Sequence, residues 1–148
     1  MSGYQHKKRM AMALRRYITN EAPCDKHRLD FGCSAGFLRA FLEFQFVDGM
    51  SWLTFGTSWH VGHVLALRYF DHEDRRERAM AWHFVNLRPI EPRTPEYPAA
   101  WALRVLEWRA KYFKFDHLLL QRAVAEAKGH SMYPWESFRH PEHRSMEE

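Results

Sequence analysis

Hydrophobic positions recur at helical spacing near both ends of this chain and crowd together in its middle. Met10, Leu14, Tyr17 and Ile18 fall on one face of a helix within the first 20 residues. Trp101, Val105, Trp108, Tyr112, Phe115 and Leu119 follow a 4-3-4-3-4 spacing. That is the period of an apolar helical seam, and it predicts a long amphipathic helix over residues 99–129, closed by Gly129. The opposite side of that helix carries Arg104, Arg109, Lys111, Lys114 and Arg122. In the middle, residues 31–47 (FGCSAGFLRAFLEFQFV) are apolar except for Arg39, Glu43 and Gln45. Residues 49–67 then run for 19 positions without Asp, Glu, Lys or Arg.

The uncharged run approaches the roughly 20 residues that cross a bilayer. Thr54, Ser58 and Gly62 recur every fourth position and make a stripe of small side chains, which lets helices approach closely in lipid. Trp52 lies near one end of the run, and Tyr69 and Phe70 follow the other, where interfacial aromatics gather. Arg39 and Glu43 are four apart, share a helix face and can pair against other protein. Asp48-Gly49 reads as a tight turn between two apolar helices. The expected architecture is therefore all-α: a basic N-terminal helix and linker over 1–30, a transmembrane helical hairpin over 31–70, a juxtamembrane helix and Pro-rich linker over 71–98, the long amphipathic helix over 99–129, and an extended C-terminal tail over 130–148. Lys7, Lys8, Arg9, Arg15, Arg16, Lys26 and Arg28 precede the hairpin, and Arg68, Arg75, Arg76 and Arg78 follow it, while the turn carries only Asp48. Basic flanks place both termini on the same side of the membrane.

Within 71–98, Arg75, Arg76 and Arg78 are suited to lipid headgroups or acidic partner residues. Pro89, Pro92, Pro95 and Pro98 exclude helix and central strand from the segment around them. Trp101, Trp108 and Phe115 would anchor a protein interface along the long helix. The tail, with Tyr133, Trp135 and Phe138, suits ordering against another protein.

Composition narrows the chemistry. A chain of 148 residues with a net charge of +4 has room for one modest core, and its 2 cysteines cannot staple a disulfide scaffold. Aromatics at 16% call for a large interface, a membrane boundary or an aromatic core. The first 20 residues hold five Lys/Arg and no acid, as in an import-type amphipathic segment or a basic surface helix. No phosphate-binding Gly loop, HExxH, nucleophile elbow or EF-hand loop occurs, so no catalytic residue, metal or cofactor is expected. His60/His63 and His140/His143 have a spacing that can ligate a metal, but no neighbouring carboxylate or cysteine completes either set.

Three short stretches carry a resemblance to a known family. They are GCSAGFLRAFL (residues 32–42), HEDRRERAM (72–80) with the Leu87-Arg88-Pro89 exit, and WESFRHPEHR (135–144). Together they resemble a small two-span, C2-type accessory subunit of the membrane arm of mitochondrial respiratory complex I. The hairpin is more polar than that family, and the helix over 99–129 has no counterpart in it. The resemblance implies a non-catalytic structural subunit of the mitochondrial inner membrane, part of an electron-transport complex, with both termini on the matrix side. Its partners would be core membrane subunits and anionic lipid such as cardiolipin, with no nucleic acid and no cofactor. The alternative is a soluble helical protein that binds nucleic acid, or regulates, through its basic helices. It leaves the uncharged run unexplained.

Overall fold

The first helix forms where a cap and an apolar stripe agree. In the computed structural model, which describes residues 1–19 and 26–113, α1 spans Gly3–Ile18. Ser2 opens it with a capping box: its hydroxyl accepts the Gln5 N–H at 3.2 Å, and the Gln5 side chain accepts the Ser2 N–H at 2.9 Å. Met10, Leu14, Tyr17 and Ile18 are buried, while Lys8, Arg9, Arg15 and Arg16 lie on the exposed side.

A single helical turn, α2 (Arg28–Phe31), ends at Gly32, whose φ of +76° is left-handed. A Cβ at Gly32 would collide with Nε2 and Cδ2 of the His83 ring. Gly32→Ala is therefore expected to cost about 2–3 kcal/mol, strain and displaced ring together. The urea midpoint measures it; a loss below about 0.5 kcal/mol would mean that the ring swings aside freely.

Helix α3 (Ala35–Phe44) is capped by Ser34, which accepts the Phe37 N–H at 3.1 Å, and it buries Leu38 and Leu42. A 3-10 turn (Trp52–Thr54) leads to strand β1 (His60–His63), and a second turn (Leu67–Tyr69) leads to α4 (Arg75–Trp82). Asp74 caps α4 by accepting the N–H groups of Arg76 and Glu77. A third turn (Phe84–Asn86) feeds β2 (Leu87–Ile90), and α5 (Ala99–Phe113) closes the described chain.

The strands form one antiparallel ribbon with His60 opposite Ile90, Val61 opposite Pro89, Gly62 opposite Arg88 and His63 opposite Leu87. Val64 N–H donates to Asn86 O at 2.8 Å, which sets the alternation of hydrogen-bonded pairs. Pro89 then falls in a non-hydrogen-bonded pair, where its missing N–H removes no rung of the ladder.

Two clusters of aromatic rings pack within the described residues. Trp59, fully buried, has Phe46, Trp52 and Phe55 around it at ring-centroid distances of 4.9, 5.4 and 4.8 Å. A second cluster joins Phe37, Phe41, Phe84 and Phe113, bringing α3, α5 and the third turn together.

These observations overturn the transmembrane hairpin. The fold is mainly helical with a two-stranded ribbon, and among the described residues no helix is long and apolar enough to cross a membrane. The proposed first span contains only α3, whose 10 residues rise about 15 Å, half a hydrocarbon core. The proposed second span is a 3-10 turn, a strand and a loop rather than one helix. Gly49 and Gly56 break it with φ of +91° and +90°. The likeness to a two-span complex I subunit falls with it.

The seam of the last helix also turns over. In α5 the buried residues are Ala102, Leu103, Leu106 and Ala110, whereas Trp101 and Trp108 are 44% and 68% exposed. Two alanines and two leucines face the body where α5 meets the third turn, Phe113 joins the aromatic cluster, and the Trp101 and Trp108 rings are left outside. Phe115, the remainder of the long helix and the tail over 130–148 lie outside the described residues, as do His140/His143.

Candidate functional site

The ribbon is held in place by one amide. Asn86 is completely buried, and its side chain makes three hydrogen bonds. Oδ1 accepts the Leu65 N–H at 2.8 Å, and Nδ2 donates to Leu65 O at 3.1 Å and to Ala81 O at 2.9 Å. The exit of β1 is thereby fixed to α4. Arg109 of α5 does similar work from the other side. Its Nη1 donates to the carbonyls of Val85 and Leu87, and its Nη2 to Gln45 Oε1 at 2.5 Å. Burial lowers its pKa to about 10. Arg109, counted on the exposed basic side of the long helix, is thus an internal tie.

With the ribbon so placed, a cleft of about 720 Å³ lies between it and α1. Met12, Leu14, Arg15 and Ile18 form one wall, and β1, Arg88 and Ile90 form the other. Phe55 and Trp82 add aromatic surface, and Ala66, Leu67 and Arg68 complete the lining with Thr94 and Glu96.

The three arginines of the cleft differ in their ties. Arg68 is bonded to Glu96, and Arg88 donates to the carbonyls of His63 and Pro95 while lying over the Tyr97 ring at 4.0 Å. Arg15 lies over Phe55 at 5.3 Å and meets no carboxylate among the described residues. Lys8, Arg9 and Arg16, exposed on the same side of α1, meet none either. Together with Arg15 they form an unneutralised cationic strip beside the cleft.

The inner residues are neutral. His63 has its pKa lowered to about 3, by burial first and then by His72 and Arg88. Its ring meets Trp82 edge-on at 4.8 Å, and neither His63 Nε2 nor Trp82 Nε1, both buried, has a hydrogen-bond partner among the described residues. Burial also lowers His72, whose Nε2–H donates to Leu67 O at 2.7 Å, and it lowers His83 to about 4.

The residues expected to pack helices or meet lipid are dispersed. Thr54 ends the first 3-10 turn, Ser58 is exposed in the following turn, and Gly62 sits on β1. A Cβ at Gly62 would meet the side chain of Ile90 at 2.6 Å, so its close contact is within this chain and not with a partner helix. Arg39 and Glu43 do not pair with each other; both turn to Trp52. The Arg39 guanidinium lies over the indole at 4.1 Å and donates to Ile18 O, and Glu43 accepts the indole N–H at 3.0 Å. Arg75 and Arg76 are exposed on the first turn of α4, and Arg78 donates to His72 O at 2.7 Å. His60 and His63 stand on a strand, three apart and so on opposite faces. Among the described residues no group of three His, Cys, Asp or Glu could hold a metal.

The sequence reading did not find His63 with Trp82, Asn86 or Arg88, because none has a local signature. The acid-free first 20 residues were the available signal for Arg15 and its neighbours. The membrane location, the cardiolipin contact and the respiratory-complex role are corrected by the same observation: the described residues contain no helix able to hold the chain in the bilayer as that reading required.

No family model matches the chain, and no solved structure matches it. Two uncharacterized proteins of Acanthamoeba polyphaga mimivirus are similar to it. One is 40% identical over 60 residues, covering 40% of this chain and 26% of that protein. The other is 31% identical over 75 residues, covering 50% of this chain and 33% of that protein. The aligned region spans about a quarter to a third of the length of these relatives.

Proposed function

We propose that this domain binds nucleic acid through the exposed side of α1 and the cleft beside it. The single observation that carries the reading is the strip of Lys8, Arg9, Arg15 and Arg16, exposed and unneutralised among the described residues. Four cations on about two turns of helix concentrate positive charge where a phosphate backbone can engage it. The role is one of binding, and it assigns no bond-making or bond-breaking step to the domain.

Fluorescence anisotropy of a labelled oligonucleotide, titrated at 50 to 200 mM salt, tests it. If all four cations engage single-stranded phosphates, log K should fall with log salt at a slope of about −3, a loss of roughly 50-fold across that range. Replacing Lys8, Arg9, Arg15 and Arg16 together by alanine should flatten most of that slope, because these side chains point outward and carry no part of the core. Binding that ignores salt, or that survives the fourfold replacement unchanged, would remove the strip from the interface.

A further inference from the structure

The charged residues of the cleft are not equivalent. Arg68 and Glu96 neutralise each other, whereas Arg15 lies over Phe55 at 5.3 Å with no carboxylate among the described residues. The rest of the lining is dominated by apolar side chains, among them Met12, Leu14 and Ile18. Behind these walls the Trp82 indole stands edge-on to the His63 imidazole and adds aromatic surface to the lining. A volume of about 720 Å³ lies within the ~300–1,000 Å³ range of small-ligand sites.

A pocket of this kind discriminates by chemistry. A bare phosphate would meet Arg88 or Arg15 and leave the apolar walls unused. An aliphatic chain would use the apolar walls and leave the Phe55 face and the Arg15 charge idle. A flat heterocycle carrying a phosphate uses both: its faces meet Phe55 and the apolar walls, and its attached phosphate reaches Arg15.

We infer that the cleft takes one base of a single-stranded nucleic acid, splayed out of the strand, while the neighbouring phosphates lie along Lys8, Arg9, Arg15 and Arg16. This rests on the proposed nucleic-acid reading and deepens it by naming the substrate class. A paired duplex would have to unstack and unpair a base to fill the same cleft, so single strands are preferred.

Oligonucleotides carrying one 2-aminopurine test this directly with the unaltered full chain. Insertion beside the aromatic rings should change the probe's emission at least twofold in the single strand, and the strand should bind at least tenfold more tightly than its duplex. Ala11, which lines the cleft from the exposed surface of α1, offers a plug. Ala11→Trp should lower single-strand affinity about tenfold, toward the duplex value, with an unchanged melting temperature. Salt-dependent binding with unchanged probe emission and no strand preference would overturn base insertion and leave the cationic strip standing. No binding of either form would overturn both.

Discussion

Asn86→Ala is expected to lower folding stability by about 3–5 kcal/mol. Three side-chain hydrogen bonds vanish at once, and the Leu65 N–H, Leu65 O and Ala81 O that they satisfied are exposed to no solvent in exchange. Each ordinary bond contributes about 1 kcal/mol net, and a buried partner left unsatisfied costs about 1–3 kcal/mol. The lower figure allows for a water entering the space left by the amide. Asn86→Asp separates the terms. It keeps the acceptor for Leu65 N–H but sets a carboxylate against two carbonyl oxygens, so it should be at least as damaging as alanine near neutral pH. Denaturant unfolding of the two variants gives both numbers. A loss under 1 kcal/mol for Asn86→Ala would show that the ribbon is held by its strand pairing alone.

Acid should begin to destabilise the domain above the range in which its carboxylates titrate. His63 and His83 are held neutral by burial, with pKa values lowered to about 3 and about 4. In the unfolded chain an imidazole titrates near 6.5. Both folded values lie below the unfolded one, so the unfolded state binds more protons as pH falls, and stability is lost in that direction. The stability is intact above pH 6.5 and drains between about 6.5 and 4 to 3. At pH 5 linkage gives about 2 kcal/mol for each ring, about 4 in sum. Urea midpoints at pH 7.5 and pH 5 measure the difference. His83 Nδ1 accepts the Val85 N–H at 3.2 Å, so His83→Asn retains a capping acceptor without a titrating ring. That variant should lose about half of the pH dependence. A flat profile from pH 7.5 to 5 in the parent protein would mean that these rings reach solvent.

The contrast between the legible and illegible parts of this chain has a physical basis. The burial of Met10, Leu14, Tyr17 and Ile18 follows from spacing alone, because α1 has one buried side and four helical turns over which to display it. In α5 the same logic misleads. The aromatic residues trace a regular seam, yet Ala102, Leu103, Leu106 and Ala110 face the body, and the Trp101 and Trp108 rings stay outside. The uncharged run from 49 to 67 fails for another reason. Its missing charges reflect an aromatic nest around Trp59 and two glycine turns, and a strand of four residues is too short to print a period of two. The cleft was illegible because its walls, Arg15 on α1 and His63 and Arg88 on the ribbon, come from separate parts of the chain. Only the α1 cations were visible beforehand, through the absence of acid around them.

Pro89 determines where this small sheet can grow. In its non-hydrogen-bonded pair its ring nitrogen is directed away from β1, along the margin where a third strand would need a donor. On that margin Arg109 already occupies the outward Leu87 carbonyl, and Pro89 offers no N–H beside it, so an incoming strand would find two of its four rungs unavailable.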